Sequence, residues 1–201
     1  MSDCSAENLN PTIEGVESLM YYTKIKRMVR SVVLLAVAGL ALQPSIALAS
    51  DEPELPAECS SIRVEAGNKV SFQVYARGVQ IYRWNGTAWV FVAPVATLFA
   101  EKNFFGEVGT HYIGPKWESK SGSKVEGRRV AGTGCQPDPT AIPWLLLSRF
   151  DSTGPGIFAQ VTFIQRVNTT GGTAPSEPGT TLDEVREVPY TAEYYFYRAQ
   201  D

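Results

Sequence analysis

The sequence predicts an all-β fold, an antiparallel β-sandwich or barrel-like single domain, for residues 50–201, preceded by a signal-peptide helix. Three observations lead there. Apolar and polar residues alternate in several short stretches, the period of two that a half-buried strand imposes. Gly, Pro and Asn turns punctuate these stretches roughly every 8–12 residues. No internal repeat and no second domain interrupts the pattern.

Residues 1–27 are an acidic and polar stretch ending in the positive charges of Lys24, Lys26 and Arg27, with Arg30 just beyond. Residues 28–49 continue with an uncharged apolar run over 31–42 and the helix breaker Gln43-Pro44. Ala47 and Ala49 put small residues where a signal peptidase needs them, so cleavage is expected between Ala49 and Ser50. A bilayer span takes roughly 20 apolar residues, more than this run offers, so no stable membrane anchor is expected after cleavage. Met20 and Met28 are alternative starts, which leaves residues 1–19 as a segment that is not necessarily translated. The expected destination is the periplasm or the exterior.

The net charge is −3 for the whole chain and stays −3 without the leader. A weakly acidic domain with no basic cluster lacks the positive footprint of a nucleic-acid or anionic-membrane partner. Cys4 precedes the leader, leaving Cys59 and Cys135 in the mature chain. In an oxidising compartment such a pair points to a disulfide, with two free buried thiols as the alternative.

Residues 70–77 alternate, with Val70, Phe72, Val74 and Ala76 on one face. Gly78 follows as the expected site of a bulge, and residues 79–84 resume the strand. Asn85-Gly86 then precedes residues 88–92, the signature of a hairpin with a type I′ turn. A second hairpin is expected to turn at Ser121-Gly122-Ser123. Residues 144–147 are continuously apolar and read equally as a strand or a helical turn. Alternation returns over 157–167, residues 168–178 read as a Gly, Pro and Thr-rich loop, and residues 190–198 close the chain as a strand. On that strand Tyr190, Ala192, Tyr194 and Phe196 share one face; Thr191, Glu193, Tyr195 and Tyr197 share the other.

Several blocks, in order, resemble the secreted bacterial and fungal domain of unknown function 3455, an uncharacterised family. They are Gly78-Val79-Gln80-Ile81-Tyr82 with Trp84-Asn85-Gly86, Gly109-Thr110-His111-Tyr112 with Trp117-Glu118, and Ile142-Pro143-Trp144. Gln165-Arg166-Val167-Asn168-Thr169 and Val188-Pro189-Tyr190-Thr191-Ala192 complete the set. The resemblance implies a fold and a secreted life but no activity. Cys59 and Cys135 depart from its usual pattern. Some fungal relatives carry a malate dehydrogenase label, which this sequence does not support. A dinucleotide needs a Gly-rich turn between strand and helix, and neither Gly132-Thr133-Gly134 nor Gly154-Pro155-Gly156 is placed for one. No cofactor is expected.

No catalytic signature names a reaction. His111 is the only histidine, which excludes multi-histidine zinc sites, and no metal site is expected. It is the one candidate general base, with Glu118, Asp138 or Asp151 as orienting partner, weighed against a structural histidine bonded to backbone. Ser121 and Lys124 match an S-x-x-K pattern without its companion motifs. The acidic residues offer many glycosidase-like pairs and no means of choosing among them. Asn85-Gly86-Thr87 and Asn168-Thr169-Thr170 are sequons in form, better explained as turns. Aromatic residues are the stronger clue: Tyr82, Trp84, Trp89 and Trp117 come from adjacent hairpins, and aromatic faces on a β surface stack on sugars or apolar ligands. The leading expectation is therefore a secreted domain that binds an extracellular ligand such as carbohydrate or cell-envelope material. The alternatives are a small secreted hydrolase using His111 and an acidic partner, and a structural or stress-associated envelope protein.

Overall fold

The computed structural model describes residues 52–200; the expected leader and its cleavage point between Ala49 and Ser50 lie outside the described residues. A 3-10 helix over Ala57–Ile62 is followed by eight strands: β1 (Asn68–Trp84), β2 (Trp89–Phe99), β3 (Glu107–Tyr112), β4 (Lys116–Ser119), β5 (Lys124–Arg129), β6 (Leu145–Thr153), β7 (Phe163–Gly171) and β8 (Val185–Ala199). Every neighbouring pair is antiparallel, and β1 pairs with both β2 and β8, so the sheet closes into a barrel. Closure removes the exposed edges that an open sheet would present. Among the described residues no helix is long and apolar enough to cross a membrane.

Alternation along the strands supplies two cores. Val74 and Ala76 of β1, Ala96 and Leu98 of β2, Trp117, Val125, Leu147, Ile164, and Tyr190, Ala192, Tyr194 and Phe196 of β8 fill the barrel. Full burial of such large apolar side chains contributes about 1.5–3 kcal/mol each. Phe158, from the β6–β7 connection, packs against Phe72 and Phe196, whose rings stack at 4.6 Å, and together they fill one end. The second core lies outside the barrel. There Cys59 and Ile62 of the 3-10 helix meet Trp144, Leu146, Val167, Tyr195 and Tyr197. β8 is therefore buried on both faces, which explains why it carries aromatics at consecutive positions. Cys59 and Cys135 form the expected disulfide and pin the helix to the β5–β6 connection.

Both expected hairpins form, β1–β2 and β4–β5, and residues 145–147 belong to a strand. Four details differ from the sequence expectation. The β1–β2 turn is not type I′: Gly86 has φ +92° but Asn85 does not enter the left-handed region. Instead Asn85 Oδ1 accepts the Thr87 and Ala88 N–H groups, an Asx arrangement that spans a four-residue loop. Gly78 is no bulge, and β1 runs through it without a break in pairing. A Cβ there would lie 2.1 Å from the Val95 carbonyl oxygen, so glycine is required by the close approach of β1 and β2. In its pairing with β8, β1 is irregular at Ser71, where one extra residue sends Val70 outward against Tyr197 while Phe72 turns inward beside Phe196. Finally, residues 157–162 are not strand, and β7 starts at Phe163 and extends to Gly171, into the expected loop.

Candidate functional site

Register sets the site. Across the sheet, Ala96, His111, Trp117 and Val125 stand in one row, and Leu145, Arg166 and Tyr194 stand in another. The rows enclose a cavity of about 170 Å³ inside the barrel, toward the β3–β4 turn. Its walls are Leu145, Leu147, Pro94, Trp117 and Tyr194, with Gln80, His111 and Arg166 among them. Phe91 and Ile113, 50% and 60% exposed, continue the apolar lining to the surface.

Trp117 is 1% exposed and lies parallel to His111 at 4.3 Å, with the Tyr194 ring edge-on to both. The His111 Nδ1 is 2.8 Å from the Lys116 carbonyl oxygen. A carbonyl only accepts, so Nδ1 carries the proton and Nε2 is left as an acceptor. Burial drives the His111 pKa down to about 3, with the nearby Arg166 charge acting in the same direction against the backbone hydrogen bond. The ring is thus neutral over the physiological range.

Arg166 donates from Nε and an Nη to the Pro143 carbonyl, at 3.1 and 2.7 Å. Among the described residues no carboxylate pairs with it. The Gln80 Nε2, Trp117 Nε1, and Tyr190 and Tyr194 hydroxyls are all buried and make no hydrogen bond to the described residues. Burial raises the pKa of both tyrosines, and Arg166 opposes that rise in each. The Tyr190 and Tyr194 hydroxyls lie near each other, with Gln80 beside Tyr190 and Arg166 beside Tyr194, yet neither hydroxyl has an aligned hydrogen bond. Each unmet buried donor is costly by about 1–3 kcal/mol.

The residues singled out from sequence are distributed unevenly. His111 and Trp117 come together in the cavity, Trp117 as part of the interior and not on a surface platform. Trp84 and Trp89 pair with each other at 5.4 Å at the barrel's rim. The Trp89 indole donates to the Glu177 carbonyl, and Gly179 lies directly against the Trp84 ring, so the β7–β8 connection partly covers both half-buried rings. Tyr82 is buried and donates to the Gly172 carbonyl. Glu118 bonds Tyr112 and Lys124, and Asp138 caps Thr140; His111 turns its proton-bearing nitrogen to a backbone carbonyl instead. Gln80, Arg166 and Tyr194 were not singled out. The available signal was polarity on an apolar face: Arg166 shares the inward parity of Ile164, and Gln80 that of Gly78 and Tyr82.

A larger open depression of about 600 Å³ lies on the outer wall beside Gln73, Tyr75, Lys102, Glu193 and Tyr195. Its central carboxylate, Glu193, already accepts from Gln73 and Tyr195 and faces Lys102. Among the described residues, that depression has no comparable set of unmet groups.

A family model described as protein of unknown function, DUF3455, matches residues 65–198. The chain belongs to that family. The match spans the DUF3455 barrel from just before β1 to the penultimate residue of β8, so every wall of the cavity falls within it. The 3-10 helix and Cys59 lie outside the match. No curated protein and no solved structure matches the chain.

Proposed function

We propose that this DUF3455 domain is an exported binding protein that holds a small, largely apolar ligand inside its barrel. The observation that carries the reading is the cavity at His111 and Trp117, apolar-walled, continued to the surface by Phe91 and Ile113, and bearing unmet polar groups. Ligand sites typically combine such walls with a few convergent polar groups. Export is supported by the leader-like residues 28–49 and is compatible with the Cys59–Cys135 disulfide.

A saccharide would be recognised chiefly by open aromatic faces, and the partial cover over Trp84 and Trp89 moves the support for binding to the cavity. A hydrolase would need His111 to take a proton near neutral pH. The lowered pKa and the backbone partner on Nδ1 support a neutral hydrogen-bonding role instead.

Apolar cavities near 150 Å³ accept molecules of about the size of benzene, so toluene and indole are suitable probes. Titration calorimetry should register binding of at least one of them to the native domain. Leu145→Trp, which fills the space, should abolish it. Uptake of neither probe would count against a largely apolar ligand and favour the reading as a structural envelope protein.

A further inference from the structure

We infer that the barrel's ligand is a small monocyclic carboxylate, with its anionic end set among Arg166, Tyr194 and Gln80 and its ring between the aromatic walls. This rests on the binding role proposed above and adds the chemical class. The first ground is an imbalance of hydrogen-bonding groups. Around the cavity the donors are the Arg166 guanidinium, the Tyr194 hydroxyl, the Gln80 amide nitrogen and the Trp117 indole nitrogen, the last three buried and unmet. The side-chain acceptors are few: the Gln80 amide oxygen, the Tyr194 oxygen and His111 Nε2. A carboxylate accepts only and offers about four lone-pair sites, so it answers this excess where an alcohol or amine would not.

The second ground is charge. Arg166 is partly buried, lines a largely apolar space beside the Tyr194 hydroxyl, donates to the Pro143 carbonyl, and faces no carboxylate among the described residues. One anion beside it would neutralise the guanidinium and accept its remaining N–H groups. The third ground is size and shape. A space of about 170 Å³ holds a single ring. The parallel His111–Trp117 pair and the Tyr194 ring edge offer aromatic surface to it.

Calorimetry on the native domain at neutral pH with benzoate, benzamide and toluene separates these grounds. Benzoate and benzamide share shape and differ in charge. Benzoate should bind tighter by roughly 10- to 100-fold, the range for a hydrogen bond to a charged group. Arg166→Gln should erase that preference while toluene still binds. Tyr194→Phe, which keeps the ring packing, should weaken benzoate alone and provides a second readout should Arg166→Gln not fold. Benzamide binding as tightly as benzoate, or a preference unchanged by both variants, would overturn the anion assignment and leave the cavity role standing. If none of the three binds, the cavity role fails with it.

Discussion

Burial between Trp117 and Tyr194 makes His111 a recorder of pH. Its pKa is near 6.5 in an unfolded chain and about 3 in the fold. Between those values the unfolded state binds a proton that the native ring refuses, so native stability is retained above about pH 6.5 and declines toward pH 3. The slope within that window approaches about 1.4 kcal/mol per pH unit. Urea unfolding at pH 7 and pH 4 should show the loss. His111→Asn, which keeps a donor for the Lys116 carbonyl, should lose distinctly less between the same two pH values. Tyr82 supplies a second test at this scale: Tyr82→Phe strips the Gly172 carbonyl of its 2.7 Å donor. A cost of about 1–3 kcal/mol is expected, read as a lower urea midpoint.

Among the elements, β1 carries most of the geometry, because it faces β2 on one side and β8 on the other. Gly78 sits where the three strands crowd, opposite Ala96 and Tyr190. Gly78→Ala would press a methyl against the Val95 carbonyl and the Ala96 backbone. Denaturant unfolding should register a loss of about 2–4 kcal/mol, in the range of overpacked or strained sites. β1 also marks the limit of what the sequence discloses. Alternation over 72–76 is visible because side-chain period is a local property. The bulge at Ser71 is not, because it is set by pairing with Tyr197 and Phe196, more than a hundred residues away. The inward faces of β8 were legible for the same local reason as those of β1. That both its faces are buried depends on a helix from the other end of the chain. The site follows this division. His111 and Trp117 drew notice by residue type, whereas Arg166 becomes meaningful only when closure brings it beside Tyr194 and across from His111. Pro189, unusual in a strand, is tolerated because it lies beyond the last β7 partner, where β8 pairs with β1 alone.

For the molecule as a whole, the Cys59–Cys135 bond closes a loop with a sequence separation of 76. The chain-entropy model assigns a crosslink of that span about 4–5 kcal/mol. Reduction, or the paired change Cys59→Ala with Cys135→Ala, should lower the denaturant midpoint accordingly. Binding of toluene or indole should survive, because the bond lies on the outer wall and not in the cavity. Closure by the first and last strands also has a consequence in time. A chain emerging N-terminus first from a ribosome or through a pore has β1 at once, but β1's second partner comes only with residues 185–199. Until then β1 and β7 are both bare edges and the barrel interior is open on that side. Barrel closure therefore waits for residues 185–199, and a chain stopped before Val185 should remain open, with faster amide exchange than the closed barrel.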